Sequence, residues 1–122
     1  MPLRELTILV ATADAERLHA ALTFAATAAA GGGSVRLHLH EGAVALLKSP
    51  LRSPNDTARA EAGLPTLKDI WDEALGLGVA VSLCQSGLAL SGLRLDQLDP
   101  RLEAQGPAGL LSRCGAGGLT VF

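Results

Sequence analysis

Short β-rich runs alternate with segments of helical spacing along this chain, and glycines mark most of the boundaries. That alternation constrains the fold more than any other feature. A strand, a helix and a second strand close as a right-handed crossover, so a series of such units builds a parallel sheet with helices against it. Leu6-Thr7-Ile8-Leu9-Val10-Ala11 reads as the first strand, apolar enough to be buried on both faces. Asp14 is placed to cap the helix that follows, whose buried stripe is Leu18, Leu22, Ala25 and Ala29, with Glu16, His19, Thr23 and Thr27 on the opposite side. Gly31-Gly32-Gly33 stops it.

Val35 to His40 reads as the second strand and Glu41 to Lys48 as a short helix. Residues Ser49 to Pro65 hold three prolines and no period, which predicts a long mobile loop of the kind that serves as a lid. Thr66 and Asp69 have the spacing of a capping box, and Leu67, Ile70, Trp71, Ala74 and Leu75 share one helical face, so Trp71 belongs to the core or an interface. Val79 to Leu83 is the third strand, with Cys84 at its exit. Ser86 is expected to cap a short turn ended by Gly92. An extended piece near Arg101 to Ala104, a helix from Pro107 to Cys114 and a last strand from Leu119 to Phe122 complete the chain. The expected architecture is a three-layer α/β/α fold with a mostly parallel sheet of four or five strands, one domain over residues 1–122.

Composition narrows the function. A net charge of −2, with no long block of one sign, argues against a nucleic-acid footprint or a polybasic membrane patch. Two Phe, one Trp and no Tyr leave no platform for stacking single-stranded bases. The run from Ala20 to Ala30 is too short to span a bilayer, and the first residues lack the layout of a signal peptide. Two distant cysteines make no disulfide framework. A cytoplasmic location with reduced thiols is the expectation.

In open parallel sheets the ligand site lies beyond the carboxyl ends of the strands. Thr12-Ala13-Asp14, His40-Glu41-Gly42 and Cys84-Gln85-Ser86-Gly87 converge on that edge. Cys84 would stand just before a helix start, where free amides and the helix dipole favour a thiolate by about 0.3–1 kcal/mol, and His40, His38 or Arg52 would supply a cation. Cys114 shares a helical face with Leu110 and Leu111, which predicts a buried, inert thiol. His38 and His40 point to one face of their strand, a chelating arrangement in some metal sites with Cys84 or Glu41 as a third ligand. The paired-ligand spacings of strong metal motifs are missing, so neither metal nor cofactor is expected. His19 is expected to be solvated. The glycine triplet precedes a strand, unlike a phosphate-binding loop, and there is no nucleophile elbow.

Taken together, several stretches resemble the DsrE/DsrF-like (TusD-like) sulfur-relay family: Ile8 to Asp14 running into an alanine-rich helix, Val35 to Leu47 with Glu41-Gly42-Ala43-Val44, Ala62-Gly63-Leu64-Pro65-Thr66, Gly78 to Cys84, and Ser91-Gly92-Leu93. The resemblance covers nearly the whole chain, with the two strand histidines and Pro107 as departures. It implies a three-layer fold, assembly as a homo-oligomer (trimer or hexamer), and a strand-end cysteine that accepts sulfane sulfur as a persulfide and hands it to a partner protein. The matching residue is Cys84. His40 is then the candidate activating group, and Thr12, Glu41, Gln85 and Ser86 are candidate substrate contacts. The alternatives are a non-catalytic oligomeric module that binds a small ligand or serves as a scaffold, and a redox- or metal-responsive sensor built on Cys84 with His38 or His40.

Overall fold

A computed structural model describes residues 5–114 and 117–122. Five strands, β1 (Glu5–Val10), β2 (Ser34–Leu39), β3 (Ala80–Leu83), β4 (Glu103–Ala104) and β5 (Gly118–Val121), form one parallel sheet in the order β4-β3-β2-β1-β5. Helices α1 (Ala15–Ala30), α2 (Asp56–Glu61), α3 (Leu67–Gly76), α4 (Gln85–Ser91) and α5 (Pro107–Cys114) connect them. The sheet grows outward from β1 through β2 and β3 to β4, then returns through α5 to β5 on the far side of β1. With right-handed crossovers throughout, that reversal puts α5 on the opposite face from α1. The three-layer reading of the sequence is therefore correct.

The register sorts the side chains by face. Ile8, Leu37 and Val81 are neighbours across the sheet, as are Val10, Leu39 and Leu83 through the shared β2 partner, and all six are buried. They face α1, whose Phe24 borders the same concavity as Leu6 and Ile8, and α3 packs on α1. Leu18, Ala21, Leu22, Ala25 and Ala26 form the buried stripe of α1, one notch off the expected set, with Ala29 half-buried. Each fully buried leucine contributes about 1.5–3 kcal/mol. The other face is more polar than a doubly covered sheet predicts: Thr7, His38 and Ser82 are buried there, beneath α5.

Local signals held where they were strong. Asp14 accepts from the amides of Glu16 and Arg17, and Thr66 and Asp69 make the reciprocal capping box. Glu41–Leu47 is a 3-10 helix. The predicted lid is a correction. Residues 49–65 contain α2, and Glu16 of α1 accepts hydrogen bonds from Ser53, from Asn55 at 2.7 Å and from Arg59 at 2.7 and 2.9 Å. Asp56 adds bonds from the amides of Ser53 and Leu67. Polar partners on another helix pin the segment, which a lack of local periodicity does not reveal. His19 is likewise tied down, 3.0 Å from the carbonyl of Pro65. No helix among the described residues is long and apolar enough to cross a membrane.

Candidate functional site

Two adjacent strand ends build the site. β2 and β3 are paired up to Leu39 and Leu83, and the amide of Cys84 continues the pairing by donating to the carbonyl of Leu39 at 3.3 Å. The chain leaves β2 through His40, then turns at Glu41 with φ +49°, a left-handed conformation unusual for a residue with a side chain. That turn aims the Glu41 amide at the neighbouring strand exit, and it donates to Cys84 Sγ at 3.0 Å. The Gly87 amide donates to the same sulfur at 3.3 Å.

Cys84 is thus the N-cap of α4, the role the sequence suggested for Ser86. The reason is geometric: the sulfur sits three residues before the Gly87 amide, where a capping acceptor belongs. Ser86 Oγ is instead 2.7 Å from Glu41 Oε1 and 3.4 Å from Sγ, and its single proton serves the nearer carboxylate. Gly87 makes the close approach possible. A Cβ there would lie 2.2 Å from Val44 Cγ2 and 2.7 Å from the Glu41 carbonyl, so only glycine lets α4 sit against the 3-10 helix.

Cys84 is 4% exposed, His40 is half-buried, and His38 is buried. One ring nitrogen of each histidine and the cysteine sulfur lie within 4.8 Å of one another. His38 Nδ1 is 2.8 Å from Ser82 Oγ, while its Nε2 has no hydrogen-bond partner among the described residues. Burial, with a smaller contribution from His40, pushes the His38 imidazole below its ordinary range, so it is neutral at neutral pH. A cavity of about 200 Å³ beneath α5, lined by Leu9, Leu110, Leu111 and Leu119, opens onto both histidines. A larger cavity, about 550 Å³, lies away from the cysteine, among Leu47, Trp71, Asp99 and Arg101.

The structure brings together Cys84, His40, Glu41 and Ser86 of the residues singled out from the sequence. Gln85 is exposed, and its side chain makes no hydrogen bond among the described residues. Thr12 is exposed on the β1–α1 turn, its carbonyl bonded to the Asp14 amide. Arg52 is exposed and forms no ion pair among the described residues. Cys114 is half-buried and Leu111 is 61% exposed, which corrects the expectation of a buried face. Leu110 alone of that group is buried, because α5 is short and turns a single residue fully towards the sheet. Ser82 was missed. Strand pairing sets it directly opposite His38, a relation that appears once the register is known.

No protein-family model matches the chain, and no curated protein matches it. Solved structures do. The chain superposes on YchN from E. coli with a TM-score of 0.74 at 18% identity, covering 98% of this chain and 99% of that one. It superposes on MTH1491 from Methanobacterium thermoautotrophicum, a protein described as of unknown function, with a TM-score of 0.67 at 15% identity over 97% and 98% of the two chains. At these identities the likeness is one of fold, and the fold implied by the sequence resemblance is the one observed.

Proposed function

We propose that this chain works in intracellular sulfur trafficking, carrying sulfane sulfur as a persulfide on Cys84 and passing it to a thiol of a partner protein. The observation that carries the reading is the pair of backbone amides, from Glu41 and Gly87, that converge on one sulfur at the end of a strand. Amides fixed by the fold stabilise negative charge on that atom without rearrangement. The Ser86 hydroxyl is a rotor away from joining them, and His40 stands within reach to exchange a proton through solvent.

The chemistry is thiol exchange. The Cys84 thiolate attacks the outer sulfur of a donor persulfide, a new S–S bond forms, the donor's S–S bond breaks, and the donor leaves as a thiolate. Delivery repeats the step with the acceptor thiolate as attacker and Cys84 as leaving group. No electrons enter or leave. The persulfide sets the transferable atom about 2 Å beyond Sγ, which helps a sheltered cysteine meet a partner. The family resembled works as homo-oligomers, and a homotrimer or homohexamer is part of the proposal. The 4% exposure of Cys84 favours a second reading, a non-catalytic module or scaffold of the same fold.

Intact-mass measurement after exposure to a small persulfide donor separates the two. The carrier reading expects wild type to gain the mass of sulfur and Cys84→Ser to gain none, with the sulfur removable by an acceptor thiol. Equal gain by both proteins, or none by wild type, rejects it in favour of the second.

A further inference from the structure

We propose that His38, His40 and Cys84 form a binding site for a single zinc(II) ion, with a fourth coordination position left for solvent or an incoming thiol. This goes beyond the carrier reading and does not depend on it. The sequence lacks the spacing of the strong zinc motifs because the third donor comes from another strand, brought in by the parallel pairing of β2 and β3.

Three observations converge. The first is distance: the three donor atoms lie within 4.8 Å of one another. Zinc takes sulfur at about 2.3 Å and imidazole nitrogen at about 2.0–2.1 Å, so ligands on one tetrahedral ion stand roughly 3.3–3.8 Å apart. Closing on an ion therefore asks for shifts of about 1 Å, within the reach of His40, which lies beyond the last paired residue of β2.

The second is the unused nitrogen. His38 is 1% exposed, and its Nε2 has no hydrogen-bond partner among the described residues. A buried polar atom left this way calls for a ligand. The third is the support behind it. A metal-bound histidine typically donates its other ring N–H to an acceptor that fixes the tautomer, and Ser82 Oγ stands 2.8 Å from His38 Nδ1. With Nδ1–H donated to Ser82, Nε2 is left with an uncommitted lone pair. Leu9, Leu110 and Leu119 supply an apolar wall beside the two histidines.

The donor set suits the ion. One thiolate and two neutral imidazoles match the borderline-soft preference of zinc(II), and three protein ligands are the number found where a position stays open. On binding, the Cys84 S–H bond breaks, an S–Zn bond forms and the proton passes to solvent.

Cobalt(II) is the probe, added to the full-length, metal-stripped protein. One equivalent is expected to give tetrahedral d–d absorption and a thiolate-to-cobalt charge-transfer band, both removed by zinc(II). Cys84→Ser is expected to abolish the charge-transfer band, Cys114→Ser to retain it, and His40→Ala and Ser82→Ala each to weaken binding about tenfold or more. Circular dichroism identifies any variant that fails to fold, and alkylated wild-type protein then replaces Cys84→Ser. No thiolate band in wild type, a band that survives loss of the Cys84 thiol, or affinity indifferent to His40→Ala overturns the site. Sulfur uptake by a protein that binds no cobalt defeats this inference alone, and cobalt binding without sulfur uptake defeats the carrier reading alone.

Discussion

The backbone amide of Glu41 donates to the sulfur of Cys84 at 3.0 Å, and it does so from a left-handed turn with φ +49°. The two facts are linked, since an ordinary turn at this position would not aim that N–H at the next strand. The left-handed conformation costs a residue with a side chain about 1–2 kcal/mol. The carboxylate offsets part of that by accepting from Ser86. Glu41→Val should therefore lower stability by about 1–2 kcal/mol, because a branched Cβ tolerates the turn least. Glu41→Gly, which loses the Ser86 bond but adopts the turn freely, should stay close to wild type. Urea unfolding of the pair checks this, and equal destabilisation by both would show that the turn is not what Val disturbs.

Gly87 is the second requirement of the sulfur pocket. Its amide caps Sγ, and its missing side chain admits Val44 and the Glu41 carbonyl. Gly87→Ala should cost about 1–3 kcal/mol through overpacking. It should also slow sulfur uptake, because α4 must shift away from the 3-10 helix and carry the amide with it. The measurement is the urea midpoint together with the rate of mass gain. A variant as stable and as quick as wild type would mean that the two segments separate without consequence.

What could be read from the sequence was what neighbouring residues decide among themselves. Thr66 and Asp69 are three apart and cap α3 whatever the rest of the chain does. Strand order alone put Cys84 and His40 on one edge. The free amides of a helix start beside Cys84 were legible, and Gly87 supplies one; the Glu41 donor was not, since it depends on a single backbone angle in a different segment. Nor was α2, a six-residue helix with no buried side chain, held by Glu16 and Asp56 rather than by an apolar stripe. Leu111 and Cys114 failed for the opposite reason. Their helical spacing with Leu110 is real, but α5 presents little more than Leu110 to the core.

Trp71 offers a built-in probe of the β4 side. It is the only tryptophan, it is 1% exposed, and its indole N–H donates to Asp99 Oδ2 at 3.1 Å. Arg101 also holds Asp99, at 2.7 Å. Asp99→Ala leaves the indole N–H without its acceptor and should cost about 1–3 kcal/mol. Tryptophan emission should shift as the ring's surroundings change. Unaltered emission and stability would place the anchoring of β4 in Leu102 and its apolar neighbours instead.

Acid should loosen the 49–65 segment first. Hydrogen bonds from Arg59, then Ser53 and Asn55, outweigh burial and lower the Glu16 carboxyl from 4.5 to about 2. A carboxyl depressed on folding stabilises the native state fully above its unfolded value, and that contribution is lost as pH falls from about 4.5 towards 2. The network is partly solvent-exposed, so its worth is about 1 kcal/mol rather than the full value of the shift. Asp56 and Asp99 are lowered as well and add to the same acid loss, so the effect of Glu16 must be isolated by difference. Glu16→Gln should be less stable than wild type near neutral pH, and the gap should close through that window. Proteolysis of the 49–65 segment should rise in wild type over the same range and be high in Glu16→Gln throughout. A gap independent of pH would assign the loss to packing rather than to the charge of Glu16.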